Sequence, residues 1–242
     1  MSGLPDHVRR SVDAIEREVG DADLSAHDIE GSTSWLPEGL DGEGDHAAGD
    51  PALAGPVQEA VRTIIRDIGE DPDRQGLART PARVQRMYAE LTAGYHVDPD
   101  RLINGAIFPV DYSEMVVVRG ISFSSLCEHH LLPFFGTAAV AYIPRGQVIG
   151  LSKIPRIVEM YARRLQVQDR MTQQIADFLM ERLDPKGVGV VVEATHLCAT
   201  MRGVRKPGTL MTTSAVLGLF RSSDKSRAEF LSHLDRPAPT LP

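Results

Sequence analysis

Gly187-Val188-Gly189-Val190-Val191-Val192-Glu193-Ala194-Thr195-His196-Leu197-Cys198 is rich in β-branched residues, and a run of this kind forms an extended strand. Side chains two apart on a strand share a face, so His196 and Cys198 are expected to point the same way. Both are metal-ligand types, so this strand carries chemistry as well as structure.

Upstream, the apolar spacing changes to that of helices. Ile154, Ile157, Val158, Tyr161 and Leu165 form the stripe of one helix, with Ser152 placed to cap it. Met171, Ile175, Phe178, Leu179 and Leu183 form the stripe of a second, over about 167–183. Before these, residues 114–119 and 136–143 read as strands, and a last strand follows near 210–220. Further upstream, Val57, Val61, Ile64, Ile65 and Ile68 recur at helical spacing. Thr80-Pro81 then reads as a helix start, with Thr80 as cap and Val84, Met87, Tyr88 and Leu91 on the apolar face. The order is helices, two strands, two helices, two strands. It predicts an α+β fold with helices on one face of an antiparallel sheet.

The folded body is expected to start near Val57. Residues 1–55 hold 13 Asp and Glu against 3 Arg, a balance of −10. The total is −7, so the rest of the chain is mildly basic, at +3. Residues 1–20 can form a short amphipathic helix on Val8, Val12 and Ile15. The Gly-, Asp- and Pro-rich stretch 37–56 reads as a disordered linker, so 1–55 is expected to be an acidic extension.

A mildly basic body suits a phosphorylated small molecule and lacks the long basic stripe that duplex nucleic acid favours. No run approaches the length of a membrane span. The first 30 residues hold no basic stretch followed by an apolar one, and they are acidic. A cytoplasmic protein is therefore expected. Its two cysteines make no disulfide scaffold and read better as ligands or buried thiols.

Cys127 and His130 are separated by two residues in Cys127-Glu128-His129-His130, and each cysteine of the chain lies within two or three positions of a histidine. Thiolate and imidazole together favour zinc. The candidate ligands are Cys127, His130 and Cys198, with His129 or His196 as a fourth. Four ligands would close the site and make it structural. Three would leave a position open for water and free the other histidines for proton transfer.

Lys153 and Arg156 share a face in the first turn of their helix, where an anion at the N-terminus offsets their unfavourable placement. Arg202 lies four residues past Cys198 and Arg83 lies after Thr80-Pro81. Gln168 and Asp169 open the next helix. Taken alone, Asp169 reads as a favourable charge at a helix N-terminus and Arg83 as a surface ion-pair partner.

Cys127-Glu128-His129-His130, Gly150-Leu151-Ser152-Lys153, Gln166-Val167-Gln168, His196-Leu197-Cys198 and Met201-Arg202-Gly203-Val204 resemble GTP cyclohydrolase I in order and spacing. The resemblance runs from about Val57 to Phe220 and includes Thr80-Pro81-Ala82-Arg83-Val84. It implies the tunnelling fold, a four-stranded antiparallel sheet with two helices inserted between its second and third strands. It implies a catalytic domain over 56–242 and a homodecamer with active sites at subunit interfaces. By the same resemblance Cys127, His130 and Cys198 hold zinc, and His129 and His196 transfer protons. Ser152, Lys153, Arg156 and Arg202 hold the triphosphate, Arg83 reaches in from a neighbouring subunit, and Gln168 with residue 169 reads guanine. The implied reaction opens GTP at C8, releases formate and yields 7,8-dihydroneopterin triphosphate, the first step of pterin and tetrahydrofolate synthesis.

One position departs from the family pattern. Asp169 stands where the family usually has Glu, so the carboxylate is kept on a stem one methylene shorter. The competing readings are a nitrile reductase on the same fold, which needs no zinc, and a zinc-binding paralogue with lost or altered activity.

Overall fold

A computed structural model describes residues 55–235. The expected helix over 1–20 and all but the last two residues of the expected linker 37–56 lie outside the described residues. Two helices come first, α1 (Pro56–Asp67) and α2 (Thr80–Leu91). Pro56 and Pro81 occupy first turns, where no helical N–H bond is lost. Thr80, expected as the cap of α2, is its first residue; Arg79 takes the cap position without a side-chain bond. A short helix α3 (Pro99–Ile103) follows, and the Asp98 carboxylate caps it by accepting from the N–H groups of Asp100 and Arg101.

The strands are β1 (Ile107–Pro109), β2 (Val116–Cys127), β3 (Pro133–Ile143), β4 (Gln147–Ile149), β5 (Leu165–Gln166), β6 (Gly187–His196) and β7 (Met211–Gly218). Between β4 and β6 lie helices α4 (Lys153–Ala162) and α5 (Gln168–Leu183). The main sheet runs β5-β2-β3-β6-β7, and β1 pairs with β4 separately. The four long strands β2, β3, β6 and β7 pair antiparallel, each with the next. The expected sheet and its two inserted helices are present, with one addition: β5 joins the β2 edge in parallel.

β2 extends well past the expected 114–119. Gly120, at φ 71°, sits in the irregularity between Val118 and Ile121 and interrupts the pattern. Beyond it, buried Ile121 and Phe123 alternate with exposed Ser122 and Ser124. This extension carries Cys127 to the end of the sheet.

Helix α4 packs on β2, and α5 packs on β6 and β7. Ile157, Val158, Ile175 and Leu179 are fully buried against Val188, Val190 and Val192, each worth about 1.5–3 kcal/mol on burial. The expectation that helices cover one face needs correction. After a one-turn helix α7 (Leu219–Ser222), helix α8 (Asp224–Leu234) sets Phe230 on the opposite face. A Cβ on Gly189 would stand 2.9 Å from that ring, so the glycine permits the contact. The α8 stretch has few apolar residues, which hides it in the sequence. No helix of the described residues is long and apolar enough to cross a membrane.

Candidate active site

β2 ends on Cys127, and a tight turn returns the chain to β3. The Cys127 N–H donates to the Leu132 carbonyl (2.9 Å), and the Cys127 carbonyl accepts from the N–H groups of His130 (3.3 Å) and Leu131 (2.9 Å). Leu131 adopts a left-handed backbone, φ 53°, which lets the turn close directly after His130. His130 Nδ1 is thereby held 3.9 Å from Cys127 Sγ. Strand β5 braces the turn: the Glu128 N–H donates to the Gln166 carbonyl (3.0 Å). The Glu128 carboxylate pairs with Arg170 of α5.

The second half comes from the end of β6. His196 is its last residue, and Leu197–Thr200 forms a single helical turn, α6. Cys198 therefore does not share a strand face with His196, as the alternation argument expects; the backbone has already turned helical. That turn still brings Cys198 to the first half. The ligand atoms of Cys127, His130 and Cys198 all lie within 4.8 Å of one another. A tetrahedral ion at about 2.3 Å from sulfur and about 2.0–2.1 Å from nitrogen holds its ligand atoms about 3.6–3.8 Å apart. The trio fits such an ion after small side-chain adjustment. Cys127 is buried, Cys198 half-buried and His130 exposed, so the group opens to one side. Burial, and then the nearby Cys127, push the Cys198 thiol pKa up. A bound cation would reverse that balance and hold the thiolates.

The other two histidines stand outside this trio. His129 is exposed, with Nδ1 3.9 Å from Cys127 Sγ and Nε2 3.9 Å from Glu128 Oε1. His196 is half-buried and stacks on Phe134, with ring centroids 4.5 Å apart and planes within 1°. Its Nε2 lies 2.7 Å from Gln168 Oε1. Burial lowers its pKa, favouring the neutral ring.

The cations lie at the N-terminus of α4 and beyond α6. Lys153 is half-buried, and Ser152, Arg156, Arg202 and Arg83 are exposed. Ser152 occupies the cap position of α4 but makes no capping bond, contrary to expectation, because its own backbone is already helical. None of the side chains of Lys153, Arg156, Arg202 and Arg83 forms a hydrogen bond or ion pair with a described residue. Arg62, Arg74, Arg163 and Arg182, by contrast, are all paired. The Arg202 charge lowers the Cys198 thiol pKa, opposing the larger upward push of burial. Helix α2, which carries Arg83, packs on α1 and on the turn Ala93–Tyr95. Asp169 is exposed in the first turn of α5. Gln168, expected on a guanine edge, is instead completely enclosed, and its amide is spent on protein partners.

The family model for GTP cyclohydrolase I matches residues 57–235. The chain belongs to the GTP cyclohydrolase I family. A GTP cyclohydrolase 1 of Synechococcus sp. (strain JA-3-3Ab) is 56% identical over 202 residues, 80% of this chain and 86% of that one. Those of Rhodopirellula baltica and Campylobacter jejuni are 56% and 55% identical, over 75% and 72% of this chain and 79% and 92% of theirs. The apo archaeosine synthase QueF-Like crystal structure matches with a TM-score of 0.38 and 18% identity, over 45% of this chain and 97% of that one.

In this member of the GTP cyclohydrolase I family, sequence reasoning passes over Phe134, Arg170 and Thr213. Phe134 lies opposite His196 in the β3–β6 register. Arg170 follows Asp169 and reaches back to Glu128. Only the strands and helix that carry them are legible in one sequence, and pairing across 42 positions is not.

Proposed function

We propose that this protein hydrolyses and rearranges GTP to 7,8-dihydroneopterin triphosphate with release of formate, using zinc held by Cys127, His130 and Cys198. The convergence of those three side chains in a member of the family carries the reading. Two sulfurs and one nitrogen suit zinc, and three protein ligands leave one position for chemistry. Zinc, when bound there, supplies Lewis acidity and brings water toward its nucleophilic form near neutral pH.

The chain's own residues bind, orient and move protons. Ser152, Lys153 and Arg156 receive the triphosphate at the N-terminus of α4, together with Arg202; that Lys153, Arg156 and Arg202 have no hydrogen-bond or ion-pair partner among the described residues supports this role. Remote binding of the triphosphate holds the purine C8 in place through several steps. The Asp169 carboxylate accepts the N–H groups of the guanine edge. His129, exposed beside the ligand turn, and His196, half-buried behind it, carry protons to and from the opening ring. Arg83 serves the site of a neighbouring subunit in a homodecamer; that no described residue pairs with it supports this role. The protein works in the cytoplasm, and its product enters pterin and tetrahydrofolate synthesis.

Zinc-loaded protein incubated with GTP, then oxidised, should show neopterin fluorescence with one formate per pterin. Stoichiometric zinc without pterin or formate would overturn this reading and favour a non-catalytic paralogue.

A further inference from the structure

We infer that Gln168 is a positioning residue that fixes the tautomer of His196 and so selects Nδ1 as the nitrogen that handles protons. The inference rests on the proton-transfer role proposed for His196, and it departs from a guanine-reading role for the Gln168 side chain.

The orientation of the amide is decided by its neighbours. Gln168 Nε2 lies 3.0 Å from the Val192 carbonyl and 2.8 Å from the Met211 carbonyl. Carbonyl oxygens only accept, so the NH2 end must face them and the oxygen end must face His196. Reversing the amide would set its oxygen against two carbonyl oxygens at a fully buried side chain.

A third contact agrees. Thr172 Oγ1 donates to the Gln168 carbonyl (2.7 Å), so its proton is committed. Thr172 and Thr213 hydroxyls are 2.7 Å apart, so Thr213 must donate to Thr172. The Thr213 oxygen is then left to accept from Gln168 Nε2, 3.2 Å away. The Gln168 NH2 group thus faces three acceptors, the Val192 and Met211 carbonyls and the Thr213 hydroxyl, which share its two hydrogens, and it faces no donor.

Gln168 Oε1 is therefore an acceptor, and the group it meets at 2.7 Å, His196 Nε2, must carry hydrogen. In the neutral ring Nδ1 then holds the free lone pair, and Nδ1 has no hydrogen-bond partner among the described residues. Phe134, stacked flat on the ring, limits its tilt. Gln168, anchored on β6 and β7, and Phe134 of β3 thus hold one imidazole in one plane and one tautomer.

The test is a double-mutant cycle on zinc-loaded protein, Gln168→Met against His196→Ala, read as kcat and KM for GTP. Gln168→Met should lower kcat about 10–100-fold, the range for loss of an outer hydrogen bond at a metal site. KM should stay within about twofold, and in the His196→Ala background the same substitution should cost less than about twofold. A raised KM with unchanged kcat would assign the side chain to guanine binding and overturn the inference. So would full additivity of the two losses. If Gln168→Met does not fold, Thr213→Val, which removes one anchor, is read by the same non-additivity.

Solid-state 15N NMR of histidine-labelled wild-type protein gives a readout independent of turnover, with His196 assigned by its loss in His196→Ala. Protonated Nε2 with bare Nδ1 is the expected signature, and protonated Nδ1 with bare Nε2 overturns the inference. Wild-type protein that shows the expected tautomer but forms no pterin refutes the proposed function and leaves the tautomer assignment standing.

Discussion

The two halves of the candidate metal centre are built by different means. The turn 127–132 is held by its own backbone, through bonds between Cys127 and residues three to five positions away. The segment 196–198 is held by side chains from elsewhere: Phe134 beneath His196, and Gln168 at its Nε2. Gln168 is itself pinned to residues 24 and 43 positions away. Local bonds place a ligand pair cheaply and leave His129 and His130 exposed. A packed network places one histidine in one orientation, and needs the whole sheet to do so.

The largest effect should be the same in both halves. Cys127→Ser and Cys198→Ser should each abolish stoichiometric zinc and cut turnover by at least about 10³-fold, beyond the 10–100-fold range of outer-shell changes. Zinc analysis beside the pterin assay checks this, and retained zinc in either variant would remove that cysteine from the ligand set.

The histidines should separate the halves. His129→Ala and His196→Ala should each lower kcat by about 10²–10⁴-fold with zinc retained. His196→Ala should also lower the melting temperature, since it empties a half-buried stacked position, while exposed His129→Ala should leave it unchanged. Equal thermal shifts in the two variants would erase the contrast.

Away from the metal, Lys153→Ala should raise KM for GTP by about 10–100-fold with little change in kcat, as expected when a hydrogen bond to a charged group is lost. A fall in kcat alone would place Lys153 outside triphosphate binding. Asp169→Glu should raise kcat/KM by about tenfold, the low end of what one methylene is worth in a pocket. A decrease would mean that the pocket is shaped around the shorter Asp. Smallest of all, Glu128→Gln should change kcat/KM by less than about fivefold. The Glu128–Arg170 pair is partly exposed, and such pairs are worth about 0–1 kcal/mol. A larger loss would show that the turn depends on its α5 brace and is less self-sufficient than its backbone bonds indicate.

Cys127, His130, His196 and Cys198 were visible as ligand types, and the helices over 153–162 and 168–183 announced themselves by their apolar stripes. Less visible is the far end of β2, because Gly120 and the three serines Ser122, Ser124 and Ser125 around Ile121 and Phe123 break the strand signal. Helix α8 was hidden because it buries little beyond Phe230. Strand alternation puts Cys198 on a strand face with His196, whereas a helical turn delivers it to its partners.

The sequence by itself determined the element order, the ligand inventory and the family motifs, because these depend on residue type and short spacing. Only the tertiary structure decided which groups meet. It brought Cys198 to Cys127 and His130, left His129 outside them, and turned Gln168 inward while its neighbour Asp169 faces out. The physical reason is that sheet register sets these meetings: β3 beside β6 puts Phe134 under His196, and β6 beside β7 supplies the carbonyls that orient Gln168. Register is a property of strands far apart in the chain, and no local reading of the sequence contains it.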